Sequence, residues 1–192
     1  MRFATAALAA VMAFTSSITA SPLEIRAAKL KDWQVTGVGS GSPSGRPGSY
    51  PWASITANVT DPNAYNLGTA SSDGSAVIIS AGSQGINCKA QWFIKNEETP
   101  LGRTWPCDPA ANGYWVMRVL DGGNGFGTGV FNLTFTHVLD VLYLGEEYTA
   151  SYVATGHFEV GKNMAGTCGG SGVCNWGLKP ENNPFPITPK KA

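Results

Sequence analysis

Residues 87–94 read NCKAQWFI, and apolar and polar side chains alternate along them. Cys88, Ala90, Trp92 and Ile94 share one parity, while Asn87, Lys89 and Gln91 take the other. A period of two is the mark of a half-buried strand. Residues 114–119 (YWVMRV) repeat it, with Trp115, Met117 and Val119 facing inward. The connection between the two carries Pro100, Gly102, Pro106 and Pro109, which no helix tolerates together. The same pattern runs through residues 51–60, where Ala53, Ile55, Ala57 and Val59 oppose Ser54, Thr56, Asn58 and Thr60. In residues 130–139, Phe131, Leu133 and Phe135 oppose Asn132, Thr134 and Thr136. Residues 148–160 set Tyr148, Ala150, Tyr152, Ala154, Phe158 and Val160 on one side.

Other segments depart from strict alternation. Residues 33–38 (WQVTGV) form the first expected strand, and residues 40–49 (SGSPSGRPGS) read as a loop by composition. Asp61-Pro62-Asn63 is a turn signal. Residues 76–79 (AVII) are apolar on both faces and read as a central strand. Residues 121–129 form a glycine-rich connection without the spacing or the following helix of a phosphate cradle. Regular short strands separated by turns predict an all-β fold. The expectation is one compact antiparallel barrel or sandwich of about seven to ten strands.

The N-terminus changes the compartment. Arg2, the apolar run 6–14 and the small residues of SSITA form a secretory signal, with cleavage expected after Ala20. The apolar run is too short to span a bilayer. Residues 21–31 are expected to be a disordered leader or a short propeptide, residues 32–180 the folded domain, and residues 181–192 an unstructured proline-rich tail. The four cysteines therefore belong in an oxidising environment. Cys168 and Cys174 flank a flexible GGSGV, which leaves Cys88 to pair with Cys107. A zinc site would need metal-like ligand spacing, and only two histidines stand elsewhere. No metal or cofactor is expected.

Charge is balanced at thirteen basic and thirteen acidic residues, with no basic stripe, so neither nucleic acid nor a membrane surface is an expected partner. Asn58 and Asn132 begin glycosylation sequons, and the register puts both on the solvent face. His137 shares the inward parity of its strand and reads as a core or rim histidine. His157 faces outward beside Glu159, a pair that reads more simply as solvated than as a tuned base. Glu97-Glu98 and Glu146-Glu147 fall in expected loops, and no serine stands in a GxSxG elbow. The mature N-terminus is not a histidine, so it offers no copper brace of that kind. No catalytic residue is expected. Trp52, Phe93 and Tyr114 point outward and are the expected recognition residues, unless a second sheet covers them.

A set of local motifs, in order along most of the mature chain, resembles a known family. They are SPLEIR after the signal, WQVTGV, ANVTDPN, CKAQW, TWPC, YWVMRV and a late close cysteine pair. This pattern resembles fungal small secreted proteins of the Alternaria major-allergen type. The resemblance implies a compact β-barrel with disulfides joining first to second and third to fourth cysteine. It implies a role in allergenicity, defence elicitation or virulence, with no established catalytic site. The chain departs from the family in its long glycine- and proline-rich connections and its extended tail. It also lacks the extra N-terminal cysteine of covalently dimeric members, so a monomer or a non-covalent oligomer is expected. The expected function is non-enzymatic binding of a host protein or cell-wall polysaccharide, as an effector or elicitor. The alternative is a secreted carbohydrate-binding module or β-sandwich glycoside hydrolase.

Overall fold

The computed structural model describes residues 29–96, 98–123 and 125–192. The expected signal segment and most of the leader lie outside these. The strands are β1 (Trp33–Ser42), β2 (Trp52–Asp61), β3 (Tyr65–Thr69), β4 (Ala76–Ile79), β5 (Ser83–Phe93), β6 (Thr104–Pro106) and β7 (Gly113–Asp121). They continue with β8 (Val130–Tyr143), β9 (Glu146–Glu159), β10 (Met164–Cys168), β11 (Cys174–Leu178), β12 (Phe185–Ile187) and β13 (Lys190–Lys191). Helix is confined, among the described residues, to 3-10 turns at Ile94–Asn96 and Pro180–Asn182.

The all-β expectation holds, but the strands form three sheets and not one closed barrel. One sheet has the order β10-β11-β1-β2-β5, with β12 also on β1; a second has the order β13-β9-β8-β7-β6; β3 and β4 form a separate pair. The two large sheets share one core. Val35, Ile55 and Ala57 from the first meet Trp115, Met117, Phe131 and Phe135 from the second. The inward sets of β2, β5, β7 and β8 are those that the alternation named.

Three segments differ from expectation. Ser40 to Ser42 is strand and not loop: with Gly39 it pairs with β11 on one side, and Gly39 to Gly41 pair with β2 on the other. Glycine and serine are weak strand formers, so composition hides a strand that two neighbours impose. A bulge at Gly37, with φ +64°, switches the inward parity from Trp33 and Val35 to Val38 and Ser40. The apolar β4 pairs only with β3, and Ile78 is exposed; an apolar run alone does not reveal how many sides are covered. The tail is ordered. Ile187 is buried opposite Trp33, Phe185 lies opposite Val35, and Lys190 and Lys191 pair with Val153 and Tyr152. Proline content masked the alternation of Phe185 and Ile187, and Pro186 is tolerated on a short strand at the sheet's margin.

Both expected disulfides are present, Cys88–Cys107 and Cys168–Cys174. The first joins Cys88, buried on the inner face of β5, to the half-buried Cys107, and the second joins directly opposed positions of the β10–β11 hairpin. Two disulfides are compatible with an extracellular protein.

Candidate functional site

The outer face of the larger sheet carries a trough. Its floor is β1, where Gly39 and Gly41 point outward between β2 and β11. The walls are Ser54 and Thr56 on one side and Asn175 and Trp176 on the other. A Cβ on Gly39 would stand 3.2 Å from the Thr56 hydroxyl, and one on Gly41 would stand 3.4 Å from Asn175 Oδ1. The missing side chains therefore create the depression, which measures about 250 Å³. It shares Gly41, Ser54 and Asn175 with a second depression of about 210 Å³ that runs on to Tyr50 and Trp52. Together they track β2 from Trp52 to Thr56, roughly 13 Å at strand rise.

Aromatic rings close the Trp52 end. Trp52 is 40% exposed and meets Phe93, its cross-strand neighbour, edge-on at 5.2 Å. Tyr50 is 65% exposed, and its hydroxyl accepts a hydrogen bond from Gln91 Nε2 at 3.0 Å. The expected recognition residues thus divide. Trp52 and Phe93 come together; Tyr114 is exposed on β7 of the other sheet and takes no part in the trough. Among the described residues, no Asp, Glu, Lys, Arg or His lines either depression.

Asn58 lies farther along the same outer face, and its Oδ1 accepts from the Asn87 backbone N–H at 2.8 Å. Asn132 is held at both ends of its amide: Nδ2 donates to the Asp121 carbonyl at 2.8 Å, and Oδ1 meets His157 Nδ1 at 2.7 Å. His157 Nε2 reaches Glu159 at 3.0 Å, so both ring nitrogens have partners. The His157 hydrogen bond, followed by that from Lys162 at 2.7 Å, holds the Glu159 carboxyl below its usual value. Glu146 opens β9 and is no loop residue; it accepts from Ser71 and Tyr148. Glu98 pairs with Arg103 at 3.5 Å, and Glu97 lies outside the described residues.

A second arrangement lies at the far end of β2, and the sequence reading missed it. Asp61 is fully buried and faces His137 of β8, which is also buried. Asp61 Oδ2 lies 3.0 Å from His137 Nδ1, and His137 Nε2 lies 3.0 Å from Ser83 Oγ. Asn63 donates to Asp61 Oδ1 through its backbone N–H and its Nδ2, both at 2.8 Å, and the Tyr65 hydroxyl donates to Oδ2 at 2.7 Å. Trp115 stacks on the imidazole at 4.1 Å and donates its Nε1–H to Ser83 Oγ at 3.0 Å. Gly85 makes the approach possible, since a Cβ there would stand 2.9 Å from the Trp115 ring. One signal was legible: an inward imidazole needs polar partners, and Asp61 shares the inward parity of Ala57 and Val59. Ser83 was not legible, because β5 begins four residues before the expected strand.

Burial, followed by the hydrogen bond to Asp61, raises Tyr65 far above its usual value of 10.0. A raised tyrosine stabilises the fold fully below the unfolded pKa, and that contribution fades as pH rises past it. Stability should therefore fall above about pH 10. Tyr65→Phe should flatten that alkaline decline by one proton's worth of slope. Denaturant melts between about pH 9 and pH 11.5 check this, and parallel declines in the two proteins would contradict it.

Among protein-family models, curated proteins and solved structures, no match to the chain is found, and nothing there links it to the allergen family whose motifs it resembles.

Proposed function

We propose that the protein is a secreted binder whose outer-face trough takes a neutral polysaccharide of the cell-wall kind. The observation that carries this is the trough's chemistry: a glycine floor, hydroxyl and amide walls, aromatic rings at one end and, among the described residues, no acidic or basic lining. Sugar hydroxyls bond to serine, threonine and asparagine, while the C–H face of a pyranose stacks on an aromatic ring. A charged polymer would find no counter-charge among the residues that line the two depressions. The roughly 13 Å track suits a short run of sugar units.

This surface favours binding over glycoside hydrolysis, which needs two carboxylates about the bond to be cut. Neither depression offers one. On this reading the effector or elicitor role implied by the resemblance operates by capturing a wall component at Trp52, with Phe93 bracing the ring. A pull-down against neutral, acidic and basic polysaccharides at two salt concentrations tests it. Retention on a neutral polymer, little changed by salt, is expected. Retention only on a charged polymer, and lost in high salt, would overturn it.

A further inference from the structure

We propose that Ser83, His137 and Asp61 form an acyl-transfer centre that hydrolyses small uncharged esters. It is separate from the trough, since Asp61 and Trp52 stand at opposite ends of β2, roughly 30 Å apart at strand rise.

The hydrogen bonds run in one direction. With the Asp61 carboxylate accepting at Nδ1, the imidazole proton sits on Nδ1 and Nε2 is left as an acceptor. Trp115 Nε1–H already donates to Ser83 Oγ, so the serine's own proton is free to point at Nε2. That is the order of roles in a serine nucleophile, its base and the carboxylate that orients the base. Buried polar networks can also serve only as internal braces. This one differs from a plain brace because its serine residue lies at the wall of a cleft. Ser83 is partly exposed and lines a cleft of about 350 Å³ with Ile79, Ala81, Ile86 and Ala110 on its walls. Asn112 and Gln84 also line it, the Gln84 amide donating to Thr60 Oγ1 at 3.3 Å.

The chemistry balances with water as the only co-reactant. Ser83 Oγ attacks the ester carbonyl, and its proton passes to His137 Nε2. Asp61 and the stacked Trp115 face stabilise the imidazolium that forms. Asn112 is the side-chain amide at this cleft left to serve the oxyanion. The alcohol leaves with the proton from Nε2, and the acyl group remains on Ser83. Water then attacks the acyl-serine while Nε2 takes its proton, releasing the acid and restoring the hydroxyl. The cleft mixes apolar and uncharged polar residues, with no acidic or basic one among the described residues, and so selects a short, neutral acyl group.

The full-length secreted protein should be treated with a fluorophosphonate and, separately, with p-nitrophenyl acetate. The expected result is one phosphonyl adduct per chain on Ser83 by peptide mapping. Ester hydrolysis above buffer should fall to the buffer rate in Ser83→Ala. The labelling readout needs only the unaltered protein, so it stands even where the variant fails to fold. Absence of an adduct on Ser83, or a folded Ser83→Ala that hydrolyses the ester as fast as the parent, would overturn the proposal. The network would then be a brace alone. Neither result bears on polysaccharide binding.

Discussion

Asp61→Ala is expected to lower the unfolding free energy by roughly 3–5 kcal/mol, because it leaves several buried donors without their acceptor at about 1–3 kcal/mol each. The change strands more than His137. Two donors from Asn63 and one from Tyr65 also end on this carboxylate, and no solvent reaches the site to replace it. Asp61→Asn keeps one carbonyl oxygen and should lose less, but its amide N–H group must face donors instead of acceptors. The order parent, Asn, Ala in denaturant midpoints checks the argument. A loss under about 1 kcal/mol in Asp61→Ala would mean that the network adds little to the fold.

Removing the Cys88–Cys107 bridge, as the Cys88→Ala/Cys107→Ala double change, is expected to cost about 3 kcal/mol. On the chain-entropy account, a bridge between residues separated by 19 positions restricts the unfolded chain more than one separated by 6, for which the figure is about 2 kcal/mol. Location adds to the difference. Cys88 is fully buried among the core side chains, so its truncation also leaves space that the packed sheets cannot close. Cys168 is exposed at a hairpin tip. Thermal melts of the two Ala pairs test the order. Equal or reversed losses would contradict the placement of the first bridge as the core staple.

The strand parities were legible because each long strand has one wet and one dry face, and alternation records that difference directly. Cysteine pairing was legible from a short flexible spacer and from what remained. Two kinds of information were not. Gly39 and Gly41 are strand residues because β2 and β11 hold them there, and local propensity carries no trace of that. Their lack of side chains, which reads as loop in the sequence, is what shapes the trough. The Asp61, His137 and Ser83 cluster joins three separate strands, and long-range register decides which inward polar groups meet. Trp52 and Phe93 were identified from outward parity, whereas Tyr114, with the same parity, lies on the other sheet. Parity states which face a residue takes along its own strand, but not which sheet that strand joins.

The most direct measurement is equilibrium binding of the polymer retained in the pull-down, compared across the parent, Trp52→Ala and Tyr114→Ala. Both variants remove an exposed aromatic ring, but only Trp52 borders the trough. The account predicts at least about tenfold weaker binding for Trp52→Ala, the loss typical of an aromatic anchor, and parent-like binding for Tyr114→Ala. Equal affinity in Trp52→Ala and the parent would contradict it, as would a loss confined to Tyr114→Ala.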